Sequence, residues 1–339
     1  MDMRMTFLEE SVARPRPLCD ARGQLNPDAI GFSLQPAVDC AINGRWGRRK
    51  RWNHWCITTP EWMLAITLAD MDYVGLGALY FLDLHTGHAT TLSHTRLLAA
   101  GCSLPDLPHQ SHGFTHPKLR IHAEEYAGRL RLCACVPTVN DTPMHVALDI
   151  QRPPHLESMN LTTALGRKTF HSSSRQLCLP VTGDVFVGRH HYACLEGVSF
   201  AALDFGRGVW PIHSYWQRAA FCAPGGIAAN LSTKGLDHGG LSENVMWLGG
   251  KLLPIDGQLR FEPSSATELA PWHIRSENDE LQLTFEPRQL HHARPQLGPF
   301  YADTRQWFGR YAGTLRDPDG VRVPVHEAYG WLGETHTRW

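Results

Sequence analysis

Between Asp204 and Lys251 the sequence places Asp204, Arg207, His213, Asp237, His238 and Glu243 among Trp210, Trp216 and Trp247, with glycine pairs at Gly225-Gly226, Gly239-Gly240 and Gly249-Gly250. Ionisable groups beside large aromatic faces suit a mostly apolar pocket with a few aimed polar groups. Burial of a carboxyl group in such a pocket disfavours its charged form and raises its pKa, which equips it to protonate an alkene. Asp204 and Glu243 are the candidates for that acid. The resulting cation can rest against the faces of Trp210, Trp216 and Trp247. His213 or His238 can then accept a proton or hold a water, because imidazole titrates near neutral pH. Arg207 suits a carboxylate or phosphate end of the substrate, with Asn244 as a further substrate contact.

Each of these residues also has a plainer use. Asp204 and Arg207, beside Gly206 and Gly208, can form a salt bridge that pins a turn. The tryptophans can be core. Glu243-Asn244 can bond backbone at a strand end, and His213, shortly after Pro211, can be a satisfied structural histidine. Their coincidence in one segment is what favours chemistry.

The elements that must position them read as strands. Lys118 to Glu124 and Arg129 to Val136 alternate polar and apolar residues on either side of Gly128, the pattern of an antiparallel pair. The same rhythm runs through Gln258–Glu262, Glu280–Glu286 after Asn278-Asp279, and Val321–Val325 after Asp319-Gly320. Trp62 to Ala69 reads as a more buried strand. Thirty glycines and 23 prolines oppose long helices. So many antiparallel strands must hide their edges, and closure into barrels does so while leaving an interior for an apolar ligand. The expectation is a mostly β protein of two packed antiparallel barrel-like domains, with a pair of β-sandwiches as the competing architecture. A chain of 339 residues exceeds one ordinary core. The strand pattern breaks at Gln151–His155 and at His171–Ser174, which places a boundary between residues 1–175 and 176–339.

Charged residues make up 19% of the chain and the net charge is −1, so the field that draws proteins onto nucleic acid is missing. The basic run Arg45 to Arg51 reads as a solvated loop face leading into a strand. Nine cysteines with no C-x-x-C pair suit neither a disulfide framework nor a standard zinc site, and Cys133 and Cys135 are expected to pack in the core. Twenty histidines include His109, His112, His116 and His122, and the pairs His190-His191 and His291-His292, yet none has the spacing of a helical metal motif. No metal and no cofactor are expected, since nucleotide-binding glycine loops and nucleophile elbows are also absent from the sequence. An N-terminus without an apolar run, and no stretch near the roughly 18 apolar residues of a membrane span, imply a cytoplasmic protein without a transmembrane segment.

The segments Arg48–Trp55, Ala69–Tyr73, Asp204–Pro211, Trp216, Gly225–Leu231, Glu243-Asn244, Gly249–Lys251 and Gly333–Trp339 resemble the bacterial domain-of-unknown-function family twenty-eight-oh-four over nearly the whole chain. Its strongest element is the Asp-x-x-Arg-Gly-x-Trp-Pro block. The two-barrel expectation is also similar to the lipocalin-like superfamily of carotenoid hydratases and tocopherol cyclases, which enclose lipophilic substrates. That likeness of fold implies an enzyme without a cofactor that acts on a lipophilic or isoprenoid-like small molecule, as hydratase, cyclase or isomerase. Two alternatives stand beside it. One is a lipid or fatty-acyl binding protein without turnover, and the other is a glycosidase-like enzyme with two carboxyl groups at roughly 5 to 9.5 Å across a cleft.

Overall fold

The structure, a computed structural model, describes residues 8, 14–139, 142–234 and 242–339. Among them the regular elements are strands, apart from 3-10 turns at Pro27–Ala29 and Pro224–Gly226. The alternating segments form the strands their pattern predicts. Leu119–Tyr126 pairs antiparallel with Arg129–Val139. Ala127 and Gly128 link them, both at positive φ (45° and 75°), the conformation a two-residue hairpin turn demands. Core-facing Leu130, Leu132, Ala134 and Val136 alternate with Cys133 and Cys135, which are only half-buried. The two thiols share a face as expected, but it is the face opposite the core.

The chain forms two compact units, Thr6–Trp210 and, mainly, Pro211–Trp339. In the first, the strand Phe200–Val209 is flanked on one side by Arg49–Thr58, Trp62–Asp70, Val74–Asp83 and Ala89–Leu97 in succession. On its other side lie Thr169–Val187, Thr142–Gln151, Arg129–Val139, Leu119–Tyr126 and His112–His116. Every one of these pairings is antiparallel, and the sheet curls into a nearly closed barrel around Trp55, Ile57, Phe114, Leu132, Leu148, Leu203 and Phe205. The second unit is a half-barrel whose central strands are His213–Ala223, Arg322–Arg338 and Phe300–Arg316, packed over Phe221, Ile274, Phe285, Tyr311 and Leu332. Mostly β, barrel-like architecture is therefore what the sequence encodes.

The units divide at Trp210 and Pro211, whereas the expected boundary at residue 175 falls inside the strand Thr169–Val187. His171–Ser174, read as an interruption, is buried strand: small hydroxyl side chains pair with Met159–Gly166 on one edge and Phe200–Val209 on the other. As a result Asp204, Arg207 and Trp210 sit in the first unit, while His213, Trp216, Glu243, Asn244 and Trp247 sit in the second. The basic run is corrected as well. The strand starts at Arg49, Lys50 is 1% exposed, and Arg49 and Arg51 pair with Asp72 and Asp70.

Alternation along Phe200–Val209 explains its glycines. Leu203, Phe205, Arg207 and Val209 face the barrel core, so Asp204, Gly206 and Gly208 face the other way. A Cβ on Gly206 would lie 2.1 Å from the Trp52 ring, and one on Gly208 would lie 2.4 Å from the Phe170 carbonyl oxygen. The indole can lie over this strand only because no side chain rises beneath it. Gly206→Ala is therefore expected to displace Trp52 and destabilise the protein by about 1 to 3 kcal/mol, the usual cost of overpacking, read by urea unfolding. An unchanged midpoint would mean that the ring adjusts freely.

Candidate active site

The outward face of the first unit's sheet gathers the polar chemistry. On Arg49–Thr58, alternation puts Lys50, Trp52 and His54 on the face opposite Asn53, Trp55 and Ile57. Register then sets His54 opposite Asp204, Trp52 opposite Gly206, and Lys50 opposite Gly208. From the other flank, Arg175 stands opposite Asp204 and His171 opposite Gly208. Five side chains thus surround the row Asp204, Gly206, Gly208.

Their contacts are specific. The Trp52 indole N–H donates to Asp204 Oδ1 at 2.8 Å, and the Arg175 guanidinium donates to the same carboxylate. Arg175 is 1% exposed and His171 1%. Trp52 stacks on His171 with centroids 5.4 Å apart and lies 5.7 Å from Trp210, while Trp210 meets His171 edge-on at 4.8 Å. His54 Nδ1 and Thr67 Oγ1 are 2.8 Å apart. Burial lowers the His54 pKa, opposed by Asp204 and reinforced by Arg175, so the ring is a neutral proton acceptor. Lys50 Nζ lies 3.5 Å from the Tyr73 hydroxyl and 4.7 Å from its ring centroid. Burial, offset in part by Asp72, brings the Lys50 pKa down to about 8.

Asp204 and Trp210 are thereby brought together, with Trp52 between them. Arg207 is not part of that group. Three residues from Asp204 on a strand, it points to the opposite face, where no salt bridge between the two can form. Its guanidinium donates to the carbonyls of Pro105, Trp52 and Gly206 and to Asn53 Oδ1 at 2.6 to 3.1 Å, over the Phe205 ring. Its donors are spent on the fold, which corrects its expected role as a substrate anchor.

In the second unit, Glu243 Oε2 lies 3.1 Å from Arg218 Nη2, both side chains being at most 5% exposed. Its backbone carbonyl accepts from Asn230 Nδ2 at 2.8 Å. Asn244 Oδ1 accepts from the Ser232 N–H at 2.6 Å, so this side chain braces the Ile227–Lys234 strand and is not placed as a substrate contact. Trp247 is fully buried, Trp216 stacks on Trp339 with centroids 6.0 Å apart, and His213 is exposed at the start of its strand. His238 lies outside the described residues. Among the described residues no group of three or more His, Cys, Asp or Glu is placed to hold a metal ion, and no helix is long and apolar enough to cross a membrane.

Both expected acids therefore contact a buried arginine. A guanidinium against a carboxyl group favours its ionised form. The residues that sequence reading missed are Lys50, Trp52, His54, His171 and Arg175. Their signal was present as the alternations Lys50-x-Trp52-x-His54 and His171-x-Ser173-x-Arg175, each of which sets one face of a strand.

The model of the domain of unknown function DUF2804 matches residues 9–339. The chain belongs to this family. No curated protein matches it in sequence. Among solved structures, the DUF2804 chain resembles kievitone hydratase from Nectria haematococca, with a TM-score of 0.50 and 13% identity over 86% of this chain and 88% of that one. It also resembles a Nitrosomonas europaea protein assigned to AttH, with a TM-score of 0.53 and 10% identity over 86% and 93%. Identities this low speak for a shared fold, and that fold is lipocalin-like.

Proposed function

We propose that this DUF2804 protein is a cofactor-independent enzyme that moves a proton within a lipophilic small molecule, as a hydratase, cyclase or isomerase. The observation that carries this reading is the single sheet face that Lys50, His54, Asp204 and His171 share with Trp52, whose ring stacks on His171 and lies near Trp210. A lysine whose pKa is brought down to about 8, and an imidazole and a carboxylate further along the same sheet face, have the proton affinities that general acid–base catalysis near neutral pH uses. The indole faces supply the apolar wall.

The assignment of roles differs from the expected one. Lys50 is the proton donor, and Asp204 or His54 the acceptor. An ammonium of this acidity is too weak to protonate an unactivated alkene efficiently, and it suits substrates that pass through an enolate-like anion, as in addition of an oxygen nucleophile to an enone. One protein of this fold is a hydratase by name, which agrees with the class. The glycosidase-like alternative needs a neutral carboxylic acid. Pairing of Asp204 with Arg175 and of Glu243 with Arg218 leaves neither carboxyl group suited to that role.

The test has two stages. Native mass spectrometry of the purified protein is expected to reveal a retained lipophilic molecule. A panel of enone-bearing phenols incubated with the protein in D₂O is then expected to gain deuterium at carbon, and Asp204→Asn to slow that gain roughly a hundredfold or more. Ligand retained with no deuterium gain from any substrate would make the protein a carrier instead.

A further inference from the structure

One end of the first unit is apolar where it meets solvent. Trp46, Leu97 and Leu98 are 64%, 71% and 69% exposed. They stand on neighbouring loops, Trp46 just before the strand Arg49–Thr58 and the leucines at the end of Ala89–Leu97, with the turn at residues 71–73 between them. Hydrogen bonds tie the three loops together. The Gly47 N–H donates to Asp72 Oδ2 at 2.7 Å, and the Leu98 N–H donates to the Tyr73 carbonyl at 2.9 Å. Leu98 and Ala99 have φ of 54° and 51°, a conformation that residues other than glycine rarely adopt. The N–H groups of Ala100 and Cys102 close this turn on the carbonyls of Leu97 and Ala99 at 3.1 and 3.0 Å. The two leucines thus sit on a turn fixed by its own backbone.

Cations surround these tips. The turn at residues 166–168 belongs to the same end, since Phe170 pairs with Val209 and Val209 with Arg49, and Arg45 Nη2 donates to the Lys168 carbonyl at 2.6 Å. Arg167 and Lys168 are exposed there. Arg48, half-buried, donates one N–H to the Trp210 carbonyl at 2.7 Å. Of the carboxylates at this end, Asp70 and Asp72 are buried and paired with Arg51 and Arg49. A further one, Asp20, lies on a turn that packs on Arg45 through Gly23, and its Oδ1 accepts from the N–H groups of Arg22 and Gln24. Positive charge is therefore in local surplus around the apolar tips, on a chain whose net charge is −1. Exposed tryptophan and leucine beside arginine and lysine is the composition of a surface that enters the bilayer interface, where headgroup phosphates meet the cations and the acyl boundary receives the tips.

We propose that this end of the first unit docks on an anionic phospholipid bilayer, with Trp46, Leu97 and Leu98 in the interface and Arg48, Arg167 and Lys168 against the headgroups. The turn between the tips carries Tyr73, whose hydroxyl lies 3.5 Å from Lys50 Nζ, so docking brings the polar sheet face to the membrane from which a lipophilic molecule would come. The inference rests on exposure and charge, and it stands whether or not that face is catalytic.

The test is flotation of the full chain with vesicles of phosphatidylcholine alone and of phosphatidylcholine with about one third phosphatidylglycerol. The protein is expected to partition onto the anionic vesicles at least about tenfold more strongly than onto the neutral ones, and to be released at about 0.5 M NaCl. Trp46→Ser, and separately Leu97→Ser with Leu98→Ser, are each expected to weaken that partition about tenfold, as is Arg167→Gln with Lys168→Gln. Val321→Ser, at an apolar residue of the second unit that is 59% exposed, should leave it unchanged. Because every substituted side chain is exposed, urea midpoints are expected to match wild type. No flotation, equal partition onto neutral and anionic vesicles, or a loss in Val321→Ser as large as at the tips would each overturn the proposal. So would a concentration-dependent dimer in sedimentation that the leucine variant dissolves while wild type fails to float, since a second copy of the chain would then cover the patch.

Discussion

Arg207→Met is expected to remove about 3 to 5 kcal/mol of stability, more than any other single change at the residues considered for the site. The side chain is fully buried, and no carboxylate among the described residues forms a salt bridge with it. It is held by the carbonyls of Pro105, Trp52 and Gly206 and by the Asn53 amide oxygen, with the Phe205 ring centroid 3.7 Å from the guanidinium carbon. Methionine matches the volume but donates nothing. Pro105, Trp52, Gly206 and Asn53 would each lose a charge-assisted hydrogen bond in the core, and release of the buried charge offsets part of the loss. Lysine keeps the charge yet loses the planar fork that reaches several acceptors at once, so Arg207→Lys is expected to recover less than half of the loss. Urea unfolding monitored by tryptophan fluorescence measures both. A variant within 1 kcal/mol of wild type that has lost ligand affinity would return Arg207 to the role of substrate anchor.

The case shows how far the sequence can be read. Strands, hairpins and the all-β class follow from alternation, because each barrel sheet has a core face and its residues repeat with a period of two. Lys118 to Val136 was legible almost to the residue for that reason. The Asp-x-x-Arg spacing was legible too, but only once Asp204 to Trp210 is taken as strand: an interval of three then separates the two charges onto opposite faces. Read as a glycine-rich turn, the same spacing suggested a salt bridge. His171–Ser174 misled in a related way. A run of serines is a common loop signal, yet between two strands its small side chains let neighbours pack closely, and one of those strands lies more than 30 residues away in sequence.

The site was harder to see than the scaffold. Asp204 takes its partners from Trp52 and Arg175, which lie 152 and 29 residues away. No local pattern encodes such pairings, and in the absence of them Asp204 looked like a free acid. Basic residues such as Lys50 looked like solvated surface because charged runs usually are. What distinguishes Lys50 is its position on the strand, two residues before Trp52 and four before His54, opposite Gly208.

Lys50 also provides the sharpest test of whether this face is built for chemistry. Its folded-state pKa of about 8 lies below the ordinary 10.5, so between those values the unfolded chain binds more protons than the native one. Stability must then rise with pH across that window, and below pH 8 the fold carries the full cost of holding a buried ammonium. The Tyr73 ring and the Asp72 charge recover part of that cost. Lys50→Met removes both the cost and the compensation, and is expected to stabilise the protein at pH 7 by about 2 kcal/mol. The advantage should shrink to nothing by about pH 10.5, while proton transfer to any substrate is lost at every pH. Pairing urea midpoints of the two proteins at pH 7 and pH 10 isolates this residue from the titration of tyrosines common to both. A stabilising loss of activity is the mark of a residue kept for function at the expense of the fold. Were Lys50→Met instead less stable than wild type by the same amount at both pH values, the ammonium would be a structural cation, and the proton donor would have to be sought elsewhere on the face.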